Sequence, residues 1–413
     1  MNVRHSHATI VSAILLVLGC STATAAPPAK TMTVDCASGQ TIADALNKGN
    51  TDQPLLVLIR GTCNESVRIE RSDVTLSGEI GFDGTINGPD SSIDTVTVVA
   101  NRVTIEGLRV SGGRNGVTAL GLGLTLRDTT IQATGRNGIS FANGAAGLVD
   151  HCVIRSNARD GIGVETSQAT IINSDVSDNV RDGILINNAG AARIGVDPRN
   201  DGAGNTIQRN GRNGINVVFS AAAIVAMNNV ANNALSGISV SSASADVWGG
   251  NEVLDNTGQG IFATRASVQI GNPPAPFPTT INTISRNGSA RAAGGISGFL
   301  GAAFVIRDAV ISENKGAGVL LNLRSTGQLI ASTISDNRAV AGGFCPGSTT
   351  CGDAVRLSLG SGLLTTLPSP TTPTPTVISG NDGAAFSCTD QESSLASAPG
   401  SVVTTQTNDC SFF

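Results

Sequence analysis

Aliphatic residues alternate with small or polar ones in short runs along most of this chain, as in Ile184 and Ile186 and then Ala192 and Ile194, and Asn and Gly punctuate the ends of the runs. Such alternation is the signature of short strands, and no helical period accompanies it. The runs fall into a recurring phrase. Ile154 to Asn157 precedes Gly161-Ile162-Gly163-Val164, Val176 to Asn179 precedes Gly183-Ile184-Leu185-Ile186, and further copies lie at Asn210/Gly214, Asn233/Gly237, Asn256/Gly260 and Asn314/Gly318. Gly116, Gly138, Gly161 and Gly183 are 22 or 23 residues apart, and Gly214, Gly237 and Gly260 are 23 apart. A fixed period of this length predicts a solenoid, each coil built of three short strands and stacked on the next at about 4.8 Å. A leucine-rich repeat of similar period would need a dense Leu lattice, whereas these copies offer Ile, Val, Gly, Asn and Ser.

From about Val34 to about Phe386 the chain resembles right-handed parallel β-helix proteins of the pectate-lyase-like superfold. The resemblance implies a buried asparagine ladder at one corner, formed by the recurring Asn, with Thr134 and Gly112 standing where earlier coils lack it. The pairs Asn115-Gly116, Asn137-Gly138, Asp160-Gly161, Asp182-Gly183 and Asn213-Gly214 are expected to supply a corner of positive φ. The expected division is residues 1–25 as a signal peptide, 26–50 as a cap segment, 51–387 as the all-β solenoid and 388–413 as an irregular tail.

The ends support this division. Arg4, the apolar run Ile10 to Leu18 and the small residues Ala23-Thr24-Ala25 read as a cleaved secretory signal, so export, secreted or periplasmic, is expected. Val17-Leu18-Gly19-Cys20 also resembles a lipoprotein signal, which would make Cys20 a lipid anchor. No later segment is long and apolar enough for a membrane helix. Thr41 to Lys48 reads as a short amphipathic helix, capped by Thr41, that covers the open first coil. Eight cysteines fit an oxidising compartment, and by position Cys36 is expected to pair with Cys63, Cys345 with Cys351 and Cys388 with Cys410, leaving Cys152 as a buried thiol.

Four insertions break the period, about Val196 to Gly204, Asn272 to Thr280, Ala341 to Cys351 and Leu367 to Thr376. The first two leave after Ile194-Gly195 and Ile270-Gly271 and return through Asn205-Thr206-Ile207 and Asn282-Thr283-Ile284, hence from one corner of coils three apart.

Composition narrows the function. A net charge of −5 argues against non-specific nucleic-acid binding. Aromatic residues make up 3 % of the chain and Tyr is missing, which thins the usual repertoire of sugar- and protein-binding surfaces. His151 is the one histidine beyond the signal and no Cys/His spacing suggests zinc, so neither metal nor cofactor is expected. The motifs of enzymes with this fold are incomplete. Arg68-Ile69-Glu70 and Arg193-Ile194-Gly195 only approach the Arg-Ile-Lys of polygalacturonases. Val149-Asp150-His151 lacks the Trp of the pectate-lyase strand, and Asp197-Pro198-Arg199-Asn200 lacks the His of the alginate-epimerase motif. Asp150 and His151 are therefore read as a structural pair, and no catalytic residue is assigned.

One constellation remains. Arg114, Arg136, Arg159, Arg181 and Arg212 each stand two residues before a corner Gly, beside Asn115, Asn137, Asp160, Asp182 and Asn213. They are expected to stack along one edge, where guanidinium groups at coil spacing can grip the carboxylates or sulfates of an acidic polysaccharide or a cell-envelope partner. Asp160 and Asp182 could then act as bases with Arg-lowered pKa in a lyase-like arrangement, or pair with the arginines and merely guard the edge. The outward positions Ser140, Gly163, Leu185, Asn216, Ser239, Phe262 and Leu320 offer no acid pair and predict no catalytic groove on their face. The expected function is non-enzymatic binding of an extended glycan or envelope component, with a polysaccharide lyase or glycoside hydrolase as the alternative.

Overall fold

The computed structural model describes residues 28–48, 53–196, 204–271, 280–289, 294–339, 352–366, 374–390, 392–397, 401–404 and 410. Strands recur in threes. Leu122–Arg127, Thr130–Gln132 and Ile139–Phe141 make one coil, and each strand pairs in parallel with its counterparts in the coils before and after. The result is three parallel sheets of 15, 14 and 13 strands, here called first, second and third in the order the chain visits them within a coil. Alternation drives the fold, because every second strand residue points inward. Ile131, Ile154, Val176, Ile207 and Val230 form one fully buried column from the second sheet, facing Ile139, Ile162, Ile184, Ile215 and Ile238 from the third. One continuous aliphatic core runs from Val34 to Leu395 and Cys410.

The amino end is closed by the helix Ile42–Asn47, whose Ile42, Ala45 and Leu46 are buried. Its first turn is doubly capped: Thr41 Oγ1 accepts from the Asp44 amide (3.1 Å), and the Glu65 carboxylate accepts from the amides of Ile42 (2.8 Å) and Ala43 (3.2 Å). Cys36 is bonded to Cys63 and Cys388 to Cys410. Cys345 and Cys351, Cys20, the signal segment and the bodies of all four insertions lie outside the described residues. The segment after Cys388 is not irregular: Ser394–Ser397 pairs with Gly362–Thr366 and Val402–Thr404 with Thr376–Ser379. Leu395, fully buried, continues the core column, which is why the stack extends past position 387.

The corner between second and third sheets carries the asparagine ladder. Asn157 Nδ2 donates to Asn179 Oδ1 (2.9 Å), and the relay continues through Asn210, Asn233, Asn256, Asn287, Asn314 and Asn337 to Asn381 at 2.8–3.1 Å. Thr134 heads it, its hydroxyl donating to Asn157 Oδ1 (2.9 Å). Gln132 pairs with Ser111, so the ladder position one coil earlier is Gly113 rather than Gly112. The positive-φ residue is also displaced from expectation. It is the one before each ladder residue, Ala133, Ser156, Asp178, Arg209, Asn232 and Asp255 among them, at φ 53–57°, and not the glycine of the Asn/Asp-Gly pairs. Those glycines are needed for closeness. A Cβ on Gly138 would sit 2.6 Å from Ile154 Cγ2 and 2.7 Å from Asn157 Nδ2.

A second ladder occupies the corner between first and second sheets. Asn205, Asn228, Asn251 and Asn282 relay side-chain amides at 2.9–3.1 Å. Cys152 and Ser174 hold the preceding rungs: Ser174 Oγ accepts from the Cys152 amide (3.1 Å), and Asn205 Oδ1 accepts from the Ser174 amide (2.9 Å). The Cys152 thiol is buried, and burial pushes its pKa up to about 11, so it is an inert packing group.

Candidate functional site

Arg136, Arg159, Arg181 and Arg212 form a true file on the ladder corner. The amide of Arg159 donates to the Arg136 carbonyl (2.9 Å), that of Arg181 to Arg159 (2.9 Å) and that of Arg212 to Arg181 (3.0 Å), so their side chains leave successive coils one strand spacing apart. Arg114 does not join them. Its coil has one residue fewer between the ladder position and the corner glycine, its amide turns to Ile93, and its guanidinium is locked on Asp94 at 2.9 and 3.1 Å. Within the file the nearest carboxylate contact is Arg181 Nε to Asp160 Oδ1 at 3.8 Å, and Arg136, Arg159 and Arg212 make no ion pair among the described residues. The file is therefore a row of like charges. Burial lowers the Arg159 pKa, and repulsion from Arg181 and Arg136 lowers it further.

Asp160 and Asp182 lie beneath this row as rungs of a third ladder. Asp160 Oδ1 accepts from the Asp182 amide (3.1 Å), while Asp182 Oδ1 accepts from the Asn213 amide (3.0 Å) and from Asn213 Nδ2 (2.9 Å). Both are 1 % exposed. The expectation of bases with Arg-lowered pKa fails for Asp160, whose carboxyl is held above its ordinary range. Burial is the main cause and the Asp182 carboxylate the second, and together they outweigh Arg181 and Arg159. Its Oδ2 has no hydrogen-bond partner. Asp160 is a strained ladder rung rather than a poised base.

Asp160→Asn should therefore stabilise the protein at neutral pH, by on the order of 1 kcal/mol. The amide keeps Oδ1 for Asp182, and its Nδ2 can reach Asn137 Oδ1 as Asn213 Nδ2 reaches Asp182. Because the folded pKa lies above the unfolded one, the cost is absent below about pH 4 and grows as pH rises through the folded value. Melting curves of both proteins should diverge with rising pH and converge in acid; a gap that ignores pH would show that the charge is not the cause.

Beside the file a groove of about 500 Å³ opens on the outer face of the third sheet, lined by Arg68, Asp94, Arg114, Arg136, Thr118 and Glu165 among others. No groove was expected there. The sequence reading examined outward positions only from Ser140 onward, and Arg68 and Thr97, which occupy the same column two and three coils earlier, were its signal. Burial would raise the Asp94 carboxyl, but hydrogen bonds from Arg114, Thr118 and the Asn115 amide hold it below its ordinary range, committing it as an acceptor. Glu165 accepts from Asn188 Nδ2 (2.7 Å). Asp150 is satisfied in the same way on another corner. Burial would raise it, but Asn173 (2.9 Å), His151 (2.7 Å) and Arg127 (3.4 Å) keep it low, so Asp150 and His151 form a structural pair. Among the described residues no group of His, Cys, Asp and Glu could hold a metal ion.

Comparison with known proteins follows from this geometry. A family model described as "Right handed beta helix region" matches residues 58–196. No curated protein matches the sequence. Among solved structures, the A-module of a mannuronan C-5 epimerase from Azotobacter vinelandii is 14 % identical, with a TM-score of 0.46 over 92 % of this chain and 90 % of that one. A periplasmic alginate epimerase is 14 % identical, with a TM-score of 0.47 over 86 % of this chain and 83 % of that one. The catalytic unit of an α-1,3-glucanase from Streptomyces thermodiastaticus is 16 % identical, with a TM-score of 0.47 over 82 % and 70 %. With its three parallel sheets, its corner ladders and the family match, the chain is a right-handed parallel β-helix protein.

Proposed function

We propose that this protein binds an extended acidic glycan along the file Arg136, Arg159, Arg181 and Arg212 without cleaving it. The observation that carries the reading is the file itself: four guanidinium groups at coil spacing, mutually repelling and short of carboxylates. A polyanion laid along the axis would relieve that repulsion and accept forked hydrogen bonds from several coils at once. The adjoining groove extends the cationic surface through Arg68 and widens the footprint for a polymer. Its acids, Asp94 and Glu165, already act as hydrogen-bond acceptors, which favours binding over general acid catalysis. Two disulfides fit an exported protein, and no described helix is long and apolar enough to cross a membrane. A polysaccharide lyase or hydrolase acting on the same polymer is the alternative, and one experiment separates the two.

Incubated with polyuronates and with neutral glucans, the protein should co-elute with the acidic polymer at unchanged polymer length, and added salt should weaken the association. Changing Arg159 and Arg181 together to Ala should weaken retention about 10- to 100-fold, one charge-assisted contact being worth about 1.5–3 kcal/mol. Its melting midpoint should stay near that of the parent. Retention unaffected by the double change would remove the arginine file from the site, and shortened polymer would make the protein an enzyme.

A further inference from the structure

The corner between the third sheet and the first sheet of the next coil carries a second file, chemically unlike the arginines. Each coil places one residue there with positive φ. In the early coils these are Asn143, Thr166 and Asn188, small polar residues on an exposed turn. Further along the stack the same position is Phe219 (φ 55°), Ser242, Arg265, Leu300 (φ 55°), Leu323 (φ 54°) and Leu359 (φ 53°). Backbone hydrogen bonds from Phe219 to Ser241, Ser242 to Thr264, Arg265 to Phe299, Gly301 to Leu323 and Arg324 to Leu359 fix the column.

The bulky members are disfavoured twice. A left-handed backbone is the conformation that large side chains adopt least readily. Their side chains also stand in water, at 64 % exposure for Phe219, 44 % for Leu300, 36 % for Leu323 and 49 % for Leu359. Polar residues in other coils show that the turn itself asks for neither property. Exposed Arg265 and Arg324 flank the leucines, and an open cavity of about 490 Å³ lies among them, with Glu392 at its carboxyl end.

We propose that this edge docks on an anionic lipid surface. Leu and Phe in single file, with Arg beside them, match the side chains that settle at a bilayer interface, the apolar ones in the headgroup and acyl boundary and the guanidinium groups on lipid phosphates. From Phe219 to Leu359 the file spans five coil steps, about 24 Å. Its width is one residue, far short of the roughly 800 Å² per partner that a stable protein interface buries. A convex apolar edge of that shape can enter a bilayer interface without a complementary partner surface.

The test is flotation of the purified chain with phosphatidylcholine vesicles and with vesicles containing phosphatidylglycerol. The parent protein should float with the anionic vesicles only. Leu300→Asn, Leu323→Asn and Leu359→Asn combined should lower the bound fraction about fivefold or more, with a melting midpoint equal to or above the parent's, since Asn accepts positive φ. Arg265→Gln with Arg324→Gln, which leaves the leucines in place, should remove the preference for anionic lipid. Arg159→Ala with Arg181→Ala should leave flotation unchanged, which separates this edge from the glycan file. The inference is overturned if the parent stays unbound, if the triple variant floats as well as the parent, or if the parent proves a dimer that the triple variant converts to monomer.

Discussion

Asn233→Ala should cost about 3–5 kcal/mol and lower the thermal midpoint by several degrees, although it deletes only a handful of atoms and opens little space. Asn233 is fully buried and is held from both sides. Its Oδ1 accepts from the amide of Asn210 (3.1 Å) and from Asn210 Nδ2 (3.0 Å), and its Nδ2 donates to Asn256 Oδ1 (2.9 Å) and to the Ile207 carbonyl (3.1 Å). Alanine leaves two donors on Asn210 and the Ile207 carbonyl without partners, in a place water does not reach. Each buried orphan costs about 1–3 kcal/mol, which sets the size of the effect. Asn256 Oδ1 still receives the backbone amide of residue 233, so the relay is cut at one rung and not at two. Circular dichroism melts would check this, and a loss below about 1 kcal/mol would mean that the ladder is ornamental.

Gly161→Ala should be at least as damaging, costing more than about 3 kcal/mol, or should prevent folding. A Cβ there would lie 2.6 Å from the Gly183 carbonyl oxygen, 2.6 Å from Val176 Cγ1 and 2.7 Å from Asn179 Nδ2. None of the three can yield, since one is backbone, one is core and one is a ladder rung. The next coil would have to move away, and all three sheets would feel it. Gly144→Ala supplies the contrast. Its φ is +81° but nothing lies within 4 Å of its Cβ, so only backbone strain is at stake, about 1–2 kcal/mol. Equal losses at the two sites would show that conformation, and not closeness, makes the corner glycines necessary.

That contrast also marks where the sequence could be read and where it could not. The 22–23-residue spacing, the first ladder, the helical cap and the arginine file were legible because each is periodic or local. The role of the Asn/Asp-Gly glycine was not, because a residue needed for positive φ and one needed for close approach leave the same letter. The second ladder was legible in principle, since Asn205, Asn228 and Asn251 are 23 apart, but its first rungs are Cys152 and Ser174, which hides the column. Arg114 looked like a fifth member of the file, and only the three residues between Gly113 and Gly116, against four between Thr134 and Gly138, set it aside. Burial was out of reach: Asp160 sits among arginines along the chain, yet desolvation and Asp182 decide its protonation.

Because nearly every hydrogen bond between coils points along the stack, the molecule has a mechanical grain. Force along the axis loads the coil interfaces in series, each pulled nearly in line with its own bonds, so the weakest interface yields alone while its neighbours hold. The asparagine relays brace the interfaces from Asn157 to Asn381, whereas above Thr134 the first ladder gives way to Gly113. The Cys36–Cys63 bond ties the first two strands of the stack together. Tension would therefore part the stack between that tie and Thr134, leaving the arginine file standing in register.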